Sequence, residues 1–513
     1  MPRRWFVFLV PVILLGSVIS ACSSPTMADL PWEITPTSTA IPLHVATITP
    51  QPQPTAVATA TALVTPTATP NPINQAPYIY YTQAGDTLPA LAVRFGVSQE
   101  DIRANQPLPS NGLLSPNTML VIPRRLWNTT SSTRLIPDSE IVYSPSAIDF
   151  DILGFVAQTD GYLASYKEYL IATGTISGSQ IVAYIARNNS INPRLLLALL
   201  EYRGHWVYGD SPTPLLEEYP LGYTNARYKR LYRQLAWAVN QLSVGYYGWR
   251  EGLLTEITFR DGSSARLAPD LNAGTVALAY FFAQVSANST EWLQAMDANT
   301  GFPAFYAQMF GDPWARAYTV EPLYPPDLTQ PPMILPIQRG APWFFTGGPH
   351  GAWEHDGARA ALDFAPGSAS GGCGVSRRWA VAVAPGVVVR SEHGVVVLDL
   401  DGDGKEQTGW NVLYLHMADD GRVPVGAQLN IGDRVGHPSC EGGTATGTHV
   451  HIARKYNGEW IAADGPVPFV MDGWLPHAGE KPYEGTLTKG DKVVFACPCG
   501  STRQIIFQSD YEP

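Results

Sequence analysis

No stretch of the 513-residue chain is densely basic, and its formal net charge is −11. A nucleic-acid surface needs clustered Lys and Arg, so nucleic acid is a poor fit as a partner. Long apolar runs are equally scarce. Beyond Ile19 no segment is apolar enough to span a bilayer, which takes about 20 residues. Cysteine occurs only five times, and histidine is nearly missing from the first two-thirds. Eight of the ten histidines lie at or after His350, which points to metal or proton chemistry in the C-terminal third. The length suggests about three domains at roughly 150 residues each.

What is present begins with "MPRRWFVFLVPVILLGSVISAC". Arg3 and Arg4 precede an apolar run and then small residues, the layout of a signal peptide over residues 1–21. Ile19-Ser20-Ala21-Cys22 resembles the bacterial lipoprotein processing box, which implies lipidation of Cys22. The expectation is an exported protein held to the membrane by acyl chains, each buried CH₂ contributing about 0.8 kcal/mol. In an oxidising compartment Cys373, Cys440, Cys497 and Cys499 can form disulfides. Four cysteines allow three pairings. Cys373–Cys440 is favoured because the two flank the candidate sheet, while Cys497-Pro-Cys499 is ambiguous.

Residues 22–77 are rich in Pro, Thr, Ala and Ser. Such a segment cannot bury enough apolar surface to offset its ordering entropy, and it reads as an extended tether. Residues 78–124 read as a βααβ unit. Asp86 or Thr87 caps the first helix, Pro89 sits in its first turn, and Ser98 with Asp101 has capping-box spacing. With Gly85-Asp86-Thr87, Asn105 and Ile122-Pro123, this unit resembles a LysM module. The resemblance implies binding of N-acetylglucosamine glycans near the first loop, with Gly85, Asp86, Thr87 and Asn105 as candidate contacts.

Residues 140–323 read as mostly α-helical. Asn192 and Pro193 form a strong helix start for "INPRLLLALLEYR", and Leu231, Leu235, Val239 and Leu242 keep a helical period. "NPRLLLALLEY" resembles the opening of lysozyme-like transglycosylase domains, which would make Glu201 a glycan-cleaving acid. Tyr202-Arg203 replaces that family's Ser-Gly, so a helix-end carboxylate on a helical spacer is the favoured reading. A proline-rich break over 324–339 follows. Residues 340–513 carry short β-branched and aromatic runs with glycine turns, including a tight hairpin at Asn457-Gly458, and read as a mostly antiparallel β domain.

In that domain "GTHVHIARKY" places His449 and His451 one residue apart in a strand pattern, so both imidazoles face one side. His350 and Asp363, thirteen positions apart, would complete a set of two imidazoles and one carboxylate with His451. Three protein ligands and an open fourth position is the catalytic zinc arrangement. His416 and His449 are then free for proton transfer and oxyanion binding. "GGPH…LDF", "YLHM" and "CEGGTATGTHVHI" together resemble the β-lytic and staphylolytic branch of the lysostaphin-type zinc endopeptidases. The commoner lysostaphin branch has its first histidine four residues before the aspartate. Here that place is Arg359, whereas His350 fits the longer β-lytic spacing. The resemblance implies one zinc per chain on His350, Asp363 and His451, with His416 and His449 catalytic. It also implies peptidoglycan peptide bonds as substrate, and Cys440 matches a cysteine this branch uses in a disulfide. His355 is a rival first ligand whose spacing fits neither branch.

"DLDGDGKE", from Asp399 to Glu406, resembles the opening of a calcium loop, but Trp410 stands where its closing glutamate is expected. An acidic hairpin tip is the default there. From another class, a non-catalytic envelope scaffold or amidase activator is the alternative function. Relatives of that kind lack zinc ligands, and here the set is whole.

Overall fold

A computed structural model describes residues 76–353, 356–367, 372–499 and 501–508. The signal sequence, Cys22, the tether up to residue 75 and His355 lie outside the described residues. Among the described residues no helix is long and apolar enough to cross a membrane.

The first unit pairs β1 (Tyr78–Tyr81) with β3 (Met119–Ile122), with β2 (Arg103–Ala104) on the far side of β3. Helix α1 (Leu88–Phe95) is capped by Thr87, whose side chain accepts from the Ala90 N–H, and it ends at Gly96 in the left-handed region. Tyr80, Leu91, Phe95, Leu120 and Ile122 form its core. The expected second helix is a single 3₁₀ turn, Gln99–Asp101. The Ser98–Asp101 capping box forms, but none of the three turn residues is buried, so there is no apolar stripe to extend it.

The middle unit is helical: α2 (Gly178–Asn189), α3 (Pro193–Gly204), α4 (Leu231–Arg250), α5 (Ala273–Val285) and α6 (Phe302–Phe310). Helix α3 starts at the Asn192 cap, as the sequence indicates, and is buried on nearly all sides. A helix apolar all round must sit inside a core.

The C-terminal unit is built on a nine-stranded, wholly antiparallel sheet. Its strands are β4 (Trp343–His350), β5 (Ala361–Pro366), β6 (Gly386–Glu392), β7 (Val395–Asp399), β8 (Trp410–Leu415), β9 (Gln428–Leu429), β10 (Val450–Tyr456) and β11 (Glu459–Trp460). A separate three-stranded sheet, β12 (Leu475–Ala478), β13 (Gly485–Lys489) and β14 (Lys492–Phe495), precedes the edge strand β15 (Ile505–Ile506). The order across the large sheet is β9-β6-β7-β8-β10-β5-β4-β15, with β11 pairing β10.

The stretch read as a break at 324–339 is packed. Tyr324, Leu328, Met333, Ile334, Leu335 and Ile337 are all buried. Its prolines forbid regular pairing, yet the apolar residues between them still find partners. The helical and β units also share one buried cluster. Ala352, Val395, Leu413, Leu415 and Trp460 of the β unit join Leu242, Tyr246 and Tyr247 of α4 in it.

Candidate metal centre

Strand register assembles the centre. His451 on β10 lies directly opposite Asp363 on β5, and on its other side opposite Leu415, the last residue of β8. Directly opposed residues on adjacent strands put their side chains side by side. His350 closes β4, where the register with β5 shifts twice between Phe345 and His350. Such irregularities re-aim side chains, and here they bring His350 over Asp363. Gly347 faces Asp363 across the pair, and a Cβ there would stand 2.4 Å from Asp363 Oδ2. The glycine leaves room for the carboxylate.

Three donor atoms converge. His350 Nε2 lies 3.0 Å from His451 Nδ1, and Asp363 Oδ1 lies 3.3 Å and 3.2 Å from those two nitrogens. Ligands at ~2.0–2.1 Å from a tetrahedral zinc stand about 3.3–3.4 Å apart, so this triangle matches one face of such a tetrahedron. Tautomers are fixed from behind. His350 Nδ1 donates to Gly348 O at 2.7 Å, and His451 Nε2 donates to Ala352 O at 2.9 Å. Backbone carbonyls only accept, so when both rings are neutral their remaining lone pairs point at each other and at Asp363. Asp363 Oδ1 is buried and has no hydrogen-bond donor. Three unshared lone pairs around one point fit a cation.

Electrostatics agree. Burial pushes the Asp363 carboxyl up, but His350 and His449 hold it well below the usual carboxylate range. Burial pushes His350 down, and Asp363 more than offsets it, for a net rise. Burial lowers His451. Without metal the favoured place for a proton is therefore His350 Nε2, and a metal must displace it.

His416 and His449 stand beside this triangle with ring centroids 4.5 Å apart. His449 Nε2 is 3.7 Å from Asp363 Oδ1. His449 Nδ1 donates to Gly447 O at 2.7 Å and His416 Nδ1 to Glu441 O at 2.9 Å, leaving both Nε2 atoms free. Burial, with His449 and His451 nearby, lowers His416 to about 3. It follows β8 with φ +68°, a sparsely populated backbone state for a residue other than glycine.

Residues 134–325 match the family model described as LasA, N-terminal domain, and residues 80–123 match the LysM domain. Protease LasA from two strains of Pseudomonas aeruginosa is 25% identical over 343 and 346 residues, in each case 64% of this chain and 75% of the relative. The chain is thus similar to protease LasA and contains a match to the LysM domain. Similar solved structures include the M23 metalloprotease pseudoalterin from the deep sea, 23% identical, covering 33% of this chain and 96% of that one at a TM-score of 0.28. The catalytic domain of lysostaphin from Staphylococcus simulans is 19% identical, covering 24% of this chain and 87% of that one at a TM-score of 0.17.

In this LasA-like chain the five histidine and aspartate positions singled out in the sequence meet at one place. Tyr483 joins them without any sequence signal. Its ring stacks on His350 at 4.0 Å, and its phenol is raised by burial and by Asp363. Arg359, at the position of the first histidine in the commoner branch, donates instead to Gly479 O at 3.1 Å and to Glu480 O at 3.3 Å. It ties down the strap that carries Tyr483.

The LysM candidates separate. Asn105 is exposed and Thr87 caps α1. Gly85 and Asp86 are not open to a glycan. Asp86 is 1% exposed, pairs with Arg94 at 2.9 Å and accepts from Tyr80 at 2.7 Å. A Cβ on Gly85 would strike Arg250 of α4. These two residues hold the LysM unit together and against the helical unit. Glu201 likewise has a structural post. Its Oε2 accepts from the N–H groups of Val207 at 2.7 Å and Tyr208 at 2.9 Å, anchoring the loop after α3.

Cys373 and Cys440 are bonded, as are Cys497 and Cys499. The first bond spans 67 residues and joins the segment before β6 to the one leading into His449. Replacing both Cys373 and Cys440 with serine is expected to cost about 4 kcal/mol by the chain-entropy account. Denaturant unfolding of the double variant checks this, and an unchanged midpoint would refute it.

Proposed function

We propose that this chain is a cell-envelope zinc endopeptidase that hydrolyses peptide bonds in peptidoglycan cross-bridges or stem peptides. The observation that carries the reading is the buried triangle of His350 Nε2, Asp363 Oδ1 and His451 Nδ1, whose edges suit a tetrahedral ion. When bound, the zinc supplies Lewis-acid polarisation and acidifies a water. His350, Asp363 and His451 would hold it. His416 and His449, tethered through Nδ1 to backbone carbonyls, present Nε2 for the proton leaving the water and for its return to the departing amine. The ring not used as base would donate to the developing oxyanion only as an imidazolium, with a proton taken from solvent on Nε2 before the attack while Nδ1–H keeps its carbonyl. The intact donor set weighs against the scaffold alternative.

The LysM unit would bring the enzyme to glycan through surfaces other than Gly85 and Asp86. Export and tethering through Cys22 belong to the same proposal and rest on sequence alone. Digestion of purified peptidoglycan, with mass spectrometry of the fragments, tests the reading. New amino termini within cross-bridges or stems are expected. Intact peptides would sink it, and glycan cuts lost in Glu201→Gln would replace it with the lysozyme-like reading.

Tyr483 is placed to donate a hydrogen bond beside His350, since its raised phenol stays protonated. Tyr483→Phe keeps the ring stack and removes the donor. A fall in kcat on the order of 10–10²-fold with unchanged zinc content is expected, towards the lower end of single oxyanion-donor losses. Steady-state kinetics on a defined cross-bridge peptide checks it.

A further inference from the structure

A second constellation sits at the tip of the β7–β8 hairpin, remote from the histidines. Asp399, Asp401 and Asp403 each bring a carboxylate oxygen within 4.8 Å of the others. The spacing is that of a calcium loop with Gly404 in sixth place, where a sharp turn is needed, and Gly404 has φ +82°. Gly404 N–H donates to Asp399 Oδ2 at 2.8 Å, which folds the loop back over the first aspartate.

Acidic hairpin tips are common without ions, and the deciding feature is Asn411. It is fully buried, and its Oδ1 has no hydrogen-bond partner. It lies directly opposite Asp399 in the β7–β8 register, so the two side chains leave the same face. Its amide nitrogen donates to Thr408 O at 2.8 Å and Lys405 O at 3.4 Å, which sets the head group inside the loop. A carboxamide oxygen held there has no N–H to meet, and a cation would satisfy it. Burial raises Asp399 to about 6, with Asp401 adding to the rise. Concentrated carboxylate charge is thus costly unless neutralised.

We propose that this loop binds one calcium ion through Asp399, Asp401 and Asp403, the Lys405 carbonyl in seventh place, and Asn411 Oδ1. Asn411 takes over from the closing glutamate, whose place is held by Trp410. All five donors are hard oxygens, the set that selects Ca²⁺ over zinc. The ion would pin the start of β8, whose far end leads into His416. Nothing in this inference depends on peptidase activity.

Terbium luminescence on the full-length, zinc-loaded protein tests it, because Trp410 adjoins the site and can sensitise Tb³⁺. Sensitised emission is expected, displaced by CaCl₂ and not by equal MgCl₂. Affinity should lie at or below about 10⁻³ M, the range of extracellular calcium modules. Ten millimolar CaCl₂ should raise Tm by about 2–4 °C. Asp401→Asn with Asp403→Asn, both exposed, should weaken Tb³⁺ binding at least about tenfold while the far-UV spectrum is unchanged. Absence of sensitised emission, emission unaffected by that double variant, or emission lost instead in His350→Ala would each overturn the proposal.

Discussion

Asp363→Ala is expected to remove both bound metal and peptide cleavage. Asp363 supplies the only anionic donor of the triangle, and its Oδ1 reaches His350 and His451 at 3.3 Å and 3.2 Å. Taking it away leaves two neutral imidazoles 3.0 Å apart with lone pairs opposed. Two nitrogens without the carboxylate cannot compete with bulk water and chelators for the ion. A Lewis acid contributes several kcal/mol to the transition state, so the rate should fall on the order of 10³-fold or more. His449→Ala separates ligation from proton transfer. It should keep the metal and lose about 10²–10⁴-fold in rate. Metal content by plasma mass spectrometry, measured beside cleavage rates, reads both. Asp363→Ala with a full equivalent of zinc and native activity would falsify the assignment.

Strand alternation made only part of this centre legible in the sequence: His350, Asp363 and His416 lie far from His449 and His451 along the chain, and the resemblance of three sequence blocks to a known family is what joined them. The alternation of His449 and His451 declares a shared face, whereas the close approaches at the two glycines before Pro349 emerge only in the structure. Gly347 makes room for Asp363, and a Cβ on Gly348 would meet Glu484 O at 2.3 Å. Tyr483 was not legible. It reaches His350 only because the chain returns through the small β12–β14 sheet, and no spacing rule encodes that return. The LysM loop was misread for a related reason. Gly85-Asp86-Thr87 has the sequence of an open loop, but Asp86 turns inward onto Arg94 and Tyr80, and Gly85 is covered by Arg250, 165 residues further on in the sequence. The segment at 324–339 looked like a linker because prolines dominate its texture, while the apolar residues among them decided its fate.

The second large effect is expected at that same Arg250. Its guanidinium bonds Glu459 through Nε at 3.1 Å and through its second amino group at 3.2 Å. It also meets Asp138 at 3.0 Å, Tyr246 at 3.0 Å and the Ala84 carbonyl. One side chain thus links the LysM unit, the helical unit and β11 of the C-terminal unit. Arg250→Leu keeps much of the volume and strands Glu459, which is 2% exposed, beside Asp138. Breaking one side of a buried pair costs about 3–5 kcal/mol, because the remaining charge stays desolvated. The pH dependence has a definite sign. Burial already raises Glu459 in the native protein, and removing Arg250 removes the charge that opposes this. A carboxyl raised on folding is least harmful while protonated, so the loss should be smallest below pH ~4.5 and deepen as pH climbs through the raised folded value. Adding Glu459→Gln to Arg250→Leu should restore part of the stability, since the stranded charge disappears. Thermal unfolding between pH 4 and 8 distinguishes this from simple loss of packing, which would lower Tm equally at both ends. A pH-independent loss with no rescue by Glu459→Gln would mean that the three units are held together by their shared apolar cluster alone.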